Sequence, residues 1–373
     1  MGRTLLASSL VAVAMAACSP TARPAEPDAG PPRLLLGADV SEALYAQRHG
    51  VQYRDVDGGP GDVLQLLANH GFQSARIRVN VEPPDAPAYA MFTDLASATE
   101  LATAAQAHGM SVLLDLHYSH WWADPANQWT PLPWRGTDLE TLEAQVRRYT
   151  RDVLLTLRAA GVEPAAVQLG NEIGHGLLWD LGGPSRPGGS WAALARLVNA
   201  GLDGVHDAGS SAKVVLHLES GGDAAATEDW IAHFQAAGGR WAEVDVLGLS
   251  YYPMWQGSLD DLSANLAQLE RNHPTTSLAI VETAAYWSPN TAGYSGAQVP
   301  WPQTPEGQRA FLVALKAVVL AHPHVVSVHY WGATWAQSRL WLSAPAWSND
   351  DASRRALFDD DGVATAGIDG LTR

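Results

Sequence analysis

Eight short apolar runs punctuate this 373-residue chain, and their spacing constrains its fold more than any other feature. They are Leu34–Val40, Ser74–Val79, Ser111–His117, Ala166–Gly170, Lys213–Leu218, Val244–Tyr251, Leu278–Glu282 and Val325–Trp331. Most are nearly continuous in Val, Leu and Ile, the pattern of parallel strands buried on both faces. Helical stretches with readable ends lie between them. Thr137 with Glu140 predicts a capping box before Leu142–Leu157, and Ser258 with Asp261 predicts another before Leu262–Leu269. Thr304 followed by Pro305 predicts the start of a helix through Phe311–Leu320. Gly71, Gly109 and Gly161 predict three helix ends. Eight alternating units predict an α/β fold, a (β/α)8 TIM barrel, as a single catalytic domain over residues 33–373. A doubly wound open sheet is the alternative, weakened because no Gly-x-Gly-x-x-Gly follows the first run.

The residues before this pattern read as an address. Arg3 precedes an apolar stretch from Leu5 to Ala17, too short for a permanent membrane span and suited to a signal peptide over residues 1–17. The stretch ends Met15-Ala16-Ala17-Cys18, and Cys18 is the only cysteine in the chain. Small residues directly before a lone cysteine resemble a bacterial lipobox, which predicts lipid attachment at Cys18; an ordinary secretory signal is the alternative. Residues 19–32 hold five prolines with Ser, Thr and Ala, a composition for an extended tether and not for a core. The expected location is the bacterial cell envelope, lipid-anchored at the outer membrane and facing the periplasm or the surface, otherwise secreted, with the membrane touched only through the lipid.

Composition removes several classes of activity. Lys and Arg number 23 against 39 Asp and Glu, which argues against a nucleic-acid partner. One cysteine excludes an intramolecular disulfide and a Cys-based zinc site. No Gly-x-Ser-x-Gly elbow is present. His117 and His120 lack a ligand set around them, and Asp359-Asp360-Asp361-Gly362 lacks the alternate spacing of a calcium loop, so no metal and no cofactor is expected. A monomer is expected.

A barrel carries its chemistry at the C-terminal strand ends. Those ends present Asp39, Arg76 and Arg78, Asp115 and His117, Asn171 and Glu172, His217 and Glu219, Tyr251 and Tyr252, Glu282, and Trp331. Two carboxylates facing each other can cleave a glycosidic bond, one protonating the leaving oxygen while the other attacks the anomeric carbon or activates water. Glu172 and Glu282 form the candidate pair. Asn171 is placed to bind a sugar 2-hydroxyl, and Arg78 with Tyr252 to hold Glu282 ionised. His117 is read as a hydrogen-bonding group of the cleft. Of the fifteen tryptophans, Trp191, Trp230 and Trp241 are assigned to helix faces. Trp122, Trp331 and Trp335 are taken as sugar platforms beside the substrate-binding candidates Asp39, Arg78, His117, Asn171 and Tyr252.

The chain resembles the glycoside hydrolase family 53 endo-β-1,4-galactanases, from about Leu36 to Leu371. The resemblance rests on Gly37-Ala38-Asp39-Val40-Ser41, Arg76-Ile77-Arg78-Val79 and Leu114-Asp115-Leu116-His117-Tyr118-Ser119. It continues with Trp122-Ala123-Asp124-Pro125, Gly170-Asn171-Glu172-Ile173, Gly176-Leu177-Leu178-Trp179, Ser250-Tyr251-Tyr252-Pro253 and Val281-Glu282-Thr283. It implies Glu172 as general acid/base, Glu282 as nucleophile, net retention, and a β-1,4-galactan substrate such as pectic arabinogalactan side chains. Two segments depart from the family pattern. Gly174-His175 stand where Arg-Ala or Thr-Ala is usual, and Trp331-Gly332-Ala333-Thr334-Trp335 replaces a Trp-Glu-Pro-Ala-Trp segment. The second departure keeps another β-glycanase, a mannanase or cellulase, as an alternative. A non-catalytic glycan-binding lipoprotein is a third reading. The calcium loop of some bacterial members is not expected, because Ala284–Gln303 contains no Asp or Glu.

Overall fold

In the computed structural model, eight parallel strands close into a barrel. They are β1 (Leu35–Asp39), β2 (Ser74–Val79), β3 (Ser111–Leu116), β4 (Ala166–Leu169), β5 (Lys213–Leu218), β6 (Val246–Ser250), β7 (Ser277–Thr283) and β8 (Val325–Tyr330). Each pairs with its sequence neighbours, and β1 closes the ring by pairing with both β2 and β8. This is the (β/α)8 barrel expected from the alternation. The structure describes residues 1–2, 34–84, 93–289, 299–337, 340 and 353–372. Cys18, the signal stretch and the tether therefore lie outside the described residues, as does the middle of Ala284–Gln303.

The helices around the barrel are α1 (Ala43–Arg48), α2 (Val63–Asn69), α3 (Leu95–Ala107), α4 (Leu139–Ala159), α5 (Trp191–Ala208), α6 (Ala224–Ala236), α7 (Leu259–Asn272) and α8 (Pro305–Leu320). Two of them, α1 and α2, fill the first connection. After β8 the 3₁₀ turn Ala366–Asp369 packs on α8. The predicted ends at Gly71, Gly109 and Gly161 hold, each glycine having positive φ one residue past a helix cap. Ser258 and Asp261 form the capping box of α7, and Thr304 caps α8 with Pro305 at its first turn. The start of α4 differs by one residue. Asp138 is its cap, accepting the Thr141 N–H at 2.8 Å, while the Thr137 hydroxyl turns back to the Trp134 carbonyl. Both residues can cap, but a carboxylate also meets the positive end of the helix dipole. The DDDG segment is a turn, in which Asp359 Oδ1 accepts the N–H groups of Asp361 and Val363.

Two layers of apolar side chains hold the fold. The outer one lies between strands and helices, where residues such as Ile77, Leu114, Leu216, Leu249 and Ile280 are fully buried. The inner one fills the barrel axis with Leu113, Val215, Val246, Ala279 and Val281. Residues of the inner set share the parity of Arg76, Asp115, Gln168 and His217. The same alternation that packs the axis thus aims polar side chains into its C-terminal mouth.

Candidate active site

Arg76 lies at the centre of the barrel mouth, 1% exposed. It contacts Asp39 at 3.0 Å, Asp115 at 2.8 Å and Glu282 at 2.9 Å, and donates to Asn171 Oδ1 at 2.7 Å. Burial pulls its pKa down, but Asp115, Glu282 and Asp39 more than reverse this, so it stays charged. Asp115 is pushed up by burial and brought below the ordinary carboxylate range by Arg76 and then His117. One cation thus holds several carboxylates of the floor in place.

Glu282 reaches this floor through a break in the alternation. Along β7 the inward residues are Ser277, Ala279 and Val281, which would send Glu282 outward. The register shifts there: Leu249 pairs with Ile280, but the next β6 residue, Ser250, pairs with Glu282. This bulge turns the Glu282 side chain into the mouth, a common use of bulges at active sites. Burial pushes the Glu282 pKa up, while Arg76 and the Tyr252 hydroxyl, donating at 2.9 Å, limit the rise. The expected partner Arg78 is not at Glu282. It pairs instead with Glu42, just past β1, and its guanidinium lies 4.2 Å from the Trp122 ring centroid.

Glu172 has a left-handed backbone, φ 48° and ψ 56°, a conformation costing on the order of 1 kcal/mol or more for a non-glycine residue. Gly170 makes the turn that leads to it, with φ 85° and no room for a Cβ, which would stand 2.7 Å from Ile173. Burial raises the Glu172 pKa well above the ordinary range, and the charges of Glu282 and Glu219 raise it further. Its Oε1 accepts the Ser250 hydroxyl at 2.6 Å, and Ser250 Oγ lies 2.8 Å from His217 Nε2. His217 Nδ1 faces Asn171 Oδ1 at 2.9 Å and the Glu172 N–H at 3.3 Å. Burial holds this imidazole neutral. Its neighbours therefore serve either tautomer, and Ser250 can donate to, or accept from, the Glu172 carboxyl.

Above this floor is a cavity of about 410 Å³. Of the sequence-predicted residues, His117, Trp122, Asn171, Glu172, Tyr252, Glu282, Trp331 and Trp335 line it. Trp331 and Trp335 have ring centroids 5.7 Å apart, with Trp122 within 6.4 Å of both. His117 Nε2 lies 3.0 Å from Asp115, and its Nδ1 accepts the Ala123 N–H. The Ala123 carbonyl in turn accepts from Asn171, so the Trp-Ala-Asp-Pro loop is pinned beside the site.

Asp39 and Arg78 are corrections to the sequence reading. Both are 1% exposed and do not line the cavity: Asp39 is used by Arg76 and Ser41, Arg78 by Glu42. A strand-end position fixes direction but not what covers it, and here Trp122 and Trp335 stand above, Trp335 donating to Glu42 at 2.8 Å. Tyr251 points the other way, against Phe311. Sequence reasoning missed Glu42, Gln168, Ser250 and Arg355. Arg355 arrives from the segment after β8, 4.8 Å from the Trp331 ring centroid and 5.3 Å from that of Trp255. Parity could have found Gln168 and Ser250; no local signal marks Arg355.

Two buried carboxyls, one with its pKa raised well above the ordinary range and one tied to a cation, equip this mouth for acid-assisted displacement at a glycosidic carbon. Comparison with known proteins agrees. The family model described as Glycosyl hydrolase family 53 matches residues 35–371. An uncharacterized protein in the bgaB 5' region of Niallia circulans is 36% identical over 82% of this chain and 85% of its own length. Arabinogalactan endo-beta-1,4-galactanase A of Aspergillus niger is 34% identical over 81% of this chain and 85% of its own. A solved structure from a study of two fungal beta-1,4-galactanases superposes with a TM-score of 0.81 at 29% identity, covering 91% of this chain and 99% of that one. The chain belongs to glycosyl hydrolase family 53.

Proposed function

We propose that this family 53 enzyme cleaves β-1,4-galactosidic bonds within galactan by a retaining double displacement, with Glu282 as nucleophile and Glu172 as acid/base. The observation that carries the assignment of roles is the unequal surroundings of the two carboxyls. Burial raises both pKa values, but Arg76 and Tyr252 counter it at Glu282, whereas the charges of Glu282 and Glu219 add to it at Glu172. In the first step the Glu282 carboxylate bonds to the anomeric carbon as the glycosidic C–O bond breaks. Glu172 gives its proton to the departing oxygen. In the second step Glu172 takes a proton from water, the water oxygen bonds to the same carbon, and Glu282 leaves as carboxylate. Asn171, whose amide is fixed by Arg76 and Ala123, is the candidate partner for the sugar 2-hydroxyl. Trp122, Trp331 and Trp335 supply flat apolar faces for the pyranose rings.

Reducing-sugar release from potato-type galactan, β-mannan and carboxymethyl cellulose tests the substrate. Turnover of galactan is expected; turnover of mannan without galactan would remove this reading. Glu172→Gln and Glu282→Ala should each abolish galactan turnover, and activity surviving Glu282→Ala would overturn the nucleophile assignment. We also propose lipid attachment at Cys18, supported by the small residues before it. Radiolabelled palmitate should be incorporated by the wild type and not by Cys18→Ala; equal labelling overturns the anchor.

A further inference from the structure

The Gly174–His175 departure is matched elsewhere in the fold. The Gly174 N–H donates to Glu219 Oε2 at 3.1 Å, and His175 Nε2 lies 3.7 Å from Glu219 Oε1. A Cβ at residue 174 would stand 2.4 Å from Glu219 Oε1 and 2.7 Å from its carboxyl carbon. Glycine at 174 and glutamate at 219 are therefore a fitted pair across the ends of β4 and β5. Gln256 adds the β6 loop by donating to the Glu219 backbone carbonyl.

Glu219 sits on the wall of two hollows. One is the catalytic cavity. The other, about 580 Å³, lies among the loops after β4, β5 and β6, with His175, Trp191, Asp223 and Asp229 on its wall. Glu219, Trp255 and Gln256 line both, so the second continues the first. Its position sets its occupant. Glu172, at the end of β4, hands its proton to the departing sugar, so that sugar lies on the β4 side of the scissile bond, across the barrel from Glu282. The second hollow opens from this side.

We propose that Gly174, His175 and Glu219 form a subsite for the leaving-group sugars of the galactan chain, with the ring of Trp255 as its platform. This rests on the galactanase reading and specifies which residues hold the departing end. A carboxylate has about four acceptor sites; the Gly174 amide occupies one, and the Glu219 amide also bonds the group. Neighbouring sugar hydroxyls are suited to the remainder. Trp255 is 50% exposed and stands at the junction of the two hollows, where a ring face can meet a pyranose.

The test compares kcat/KM on galactan with kcat/KM on a 4-nitrophenyl β-galactobioside, whose leaving group is an aryl ring with no sugar hydroxyls. In Glu219→Gln, read at a pH below the alkaline limb of both enzymes so that the altered Glu172 pKa does not enter, the galactan-to-aryl ratio should fall roughly tenfold to a hundredfold, the range for losing a hydrogen bond to a charged group. Gly174→Ala should lower the ratio in the same direction by displacing Glu219. His175→Ala should lower it without disturbing the fold, since that side chain is 62% exposed. Transfer of the galactobiosyl group to added galactobiose should fall in parallel. An unchanged ratio in Glu219→Gln and His175→Ala, with galactan still cleaved by the wild type, overturns the subsite. Absence of galactan cleavage by the wild type overturns the galactanase reading instead.

Discussion

Replacing Arg76 by Gln removes the cation that Glu282, Asp39 and Asp115 share. The Arg76–Glu282 contact is 2.9 Å, with the Arg76 side chain 1% and the Glu282 side chain 6% exposed. At an effective dielectric near 20, unit charges about 4 Å apart interact by about 4 kcal/mol. Without that attraction, burial and the charges of Asp115 and Asp39 raise the Glu282 pKa further. As the proposed nucleophile, Glu282 must be ionised, and a raised pKa costs rate from the acid side. The acidic limb of the kcat/KM–pH profile should therefore move up in Arg76→Gln. The window between the two carboxyls closes, and activity near neutrality should fall on the order of a hundredfold. Arg78→Gln is the matched comparison. It breaks a buried ion pair too, at a cost of about 3–5 kcal/mol of stability, but its partner is Glu42. Its acidic limb should stay in place. Profiles are to be taken below the unfolding temperature of both variants, set by circular dichroism. The reasoning fails if Arg76→Gln keeps the wild-type acidic limb, or if Arg78→Gln shifts it equally.

Ser250→Ala removes a hydroxyl that favours ionised Glu172. A hydrogen bond to a charged group contributes about 1.5 kcal/mol or more, so the alkaline limb should rise; an unmoved or lowered limb contradicts the contact. Glu219→Gln acts with the opposite sign. It removes a negative charge that raises the Glu172 pKa, so the alkaline limb on galactan should move down, and a rise would show that the charge is not felt. Ser258→Ala takes the cap from α7 and should lower unfolding free energy in urea by about 1 kcal/mol with activity retained. No loss of stability would mean that the capping box contributes nothing.

The strands were readable because parallel barrel strands are buried on both faces and so stand out as unbroken Val, Leu and Ile. The two capped helices with a single strong cap residue, α7 and α8, were readable for an equally local reason. The start of α4 was not, because Thr137 and Asp138 compete for one role and tertiary contacts decide between them. The two arginines of β2 show a different limit. Arg76 and Arg78 share parity and both point inward, and depth alone separates them. The outcome depended on Glu42, a residue past the end of β1 that captures the upper arginine, and nothing local to β2 announces it. Glu282 is the sharpest case. Period-two alternation from Ser277 would have turned it away from the site, and only the bulge opposite Ser250 brings it in. Its strand-end position is legible in the sequence, but the backbone device that aims it into the cavity is a tertiary feature.

The same electrostatics that separate the two glutamates also give a reason for the acid to change role. Apart from burial, the largest influence raising the Glu172 pKa is the charge of Glu282. In the proposed covalent intermediate Glu282 is an ester and carries no charge, so that influence vanishes while Glu219 and Asp124 remain. Glu172, having just lost its proton, then faces less pressure to take one back from its surroundings and can wait as a base for the proton of water. Ser250 and His217 fit this cycle. With Glu172 protonated, its O–H can point to Ser250 Oγ and the Ser250 hydroxyl to His217 Nε2. With Glu172 ionised, Ser250 donates to it and the other imidazole tautomer donates to Ser250. His217 stays neutral throughout, since burial disfavours its cation. The polar pair therefore hydrogen-bonds both states of the proposed acid/base, the ionised one more strongly, without adding a charge that would fix it in one of them.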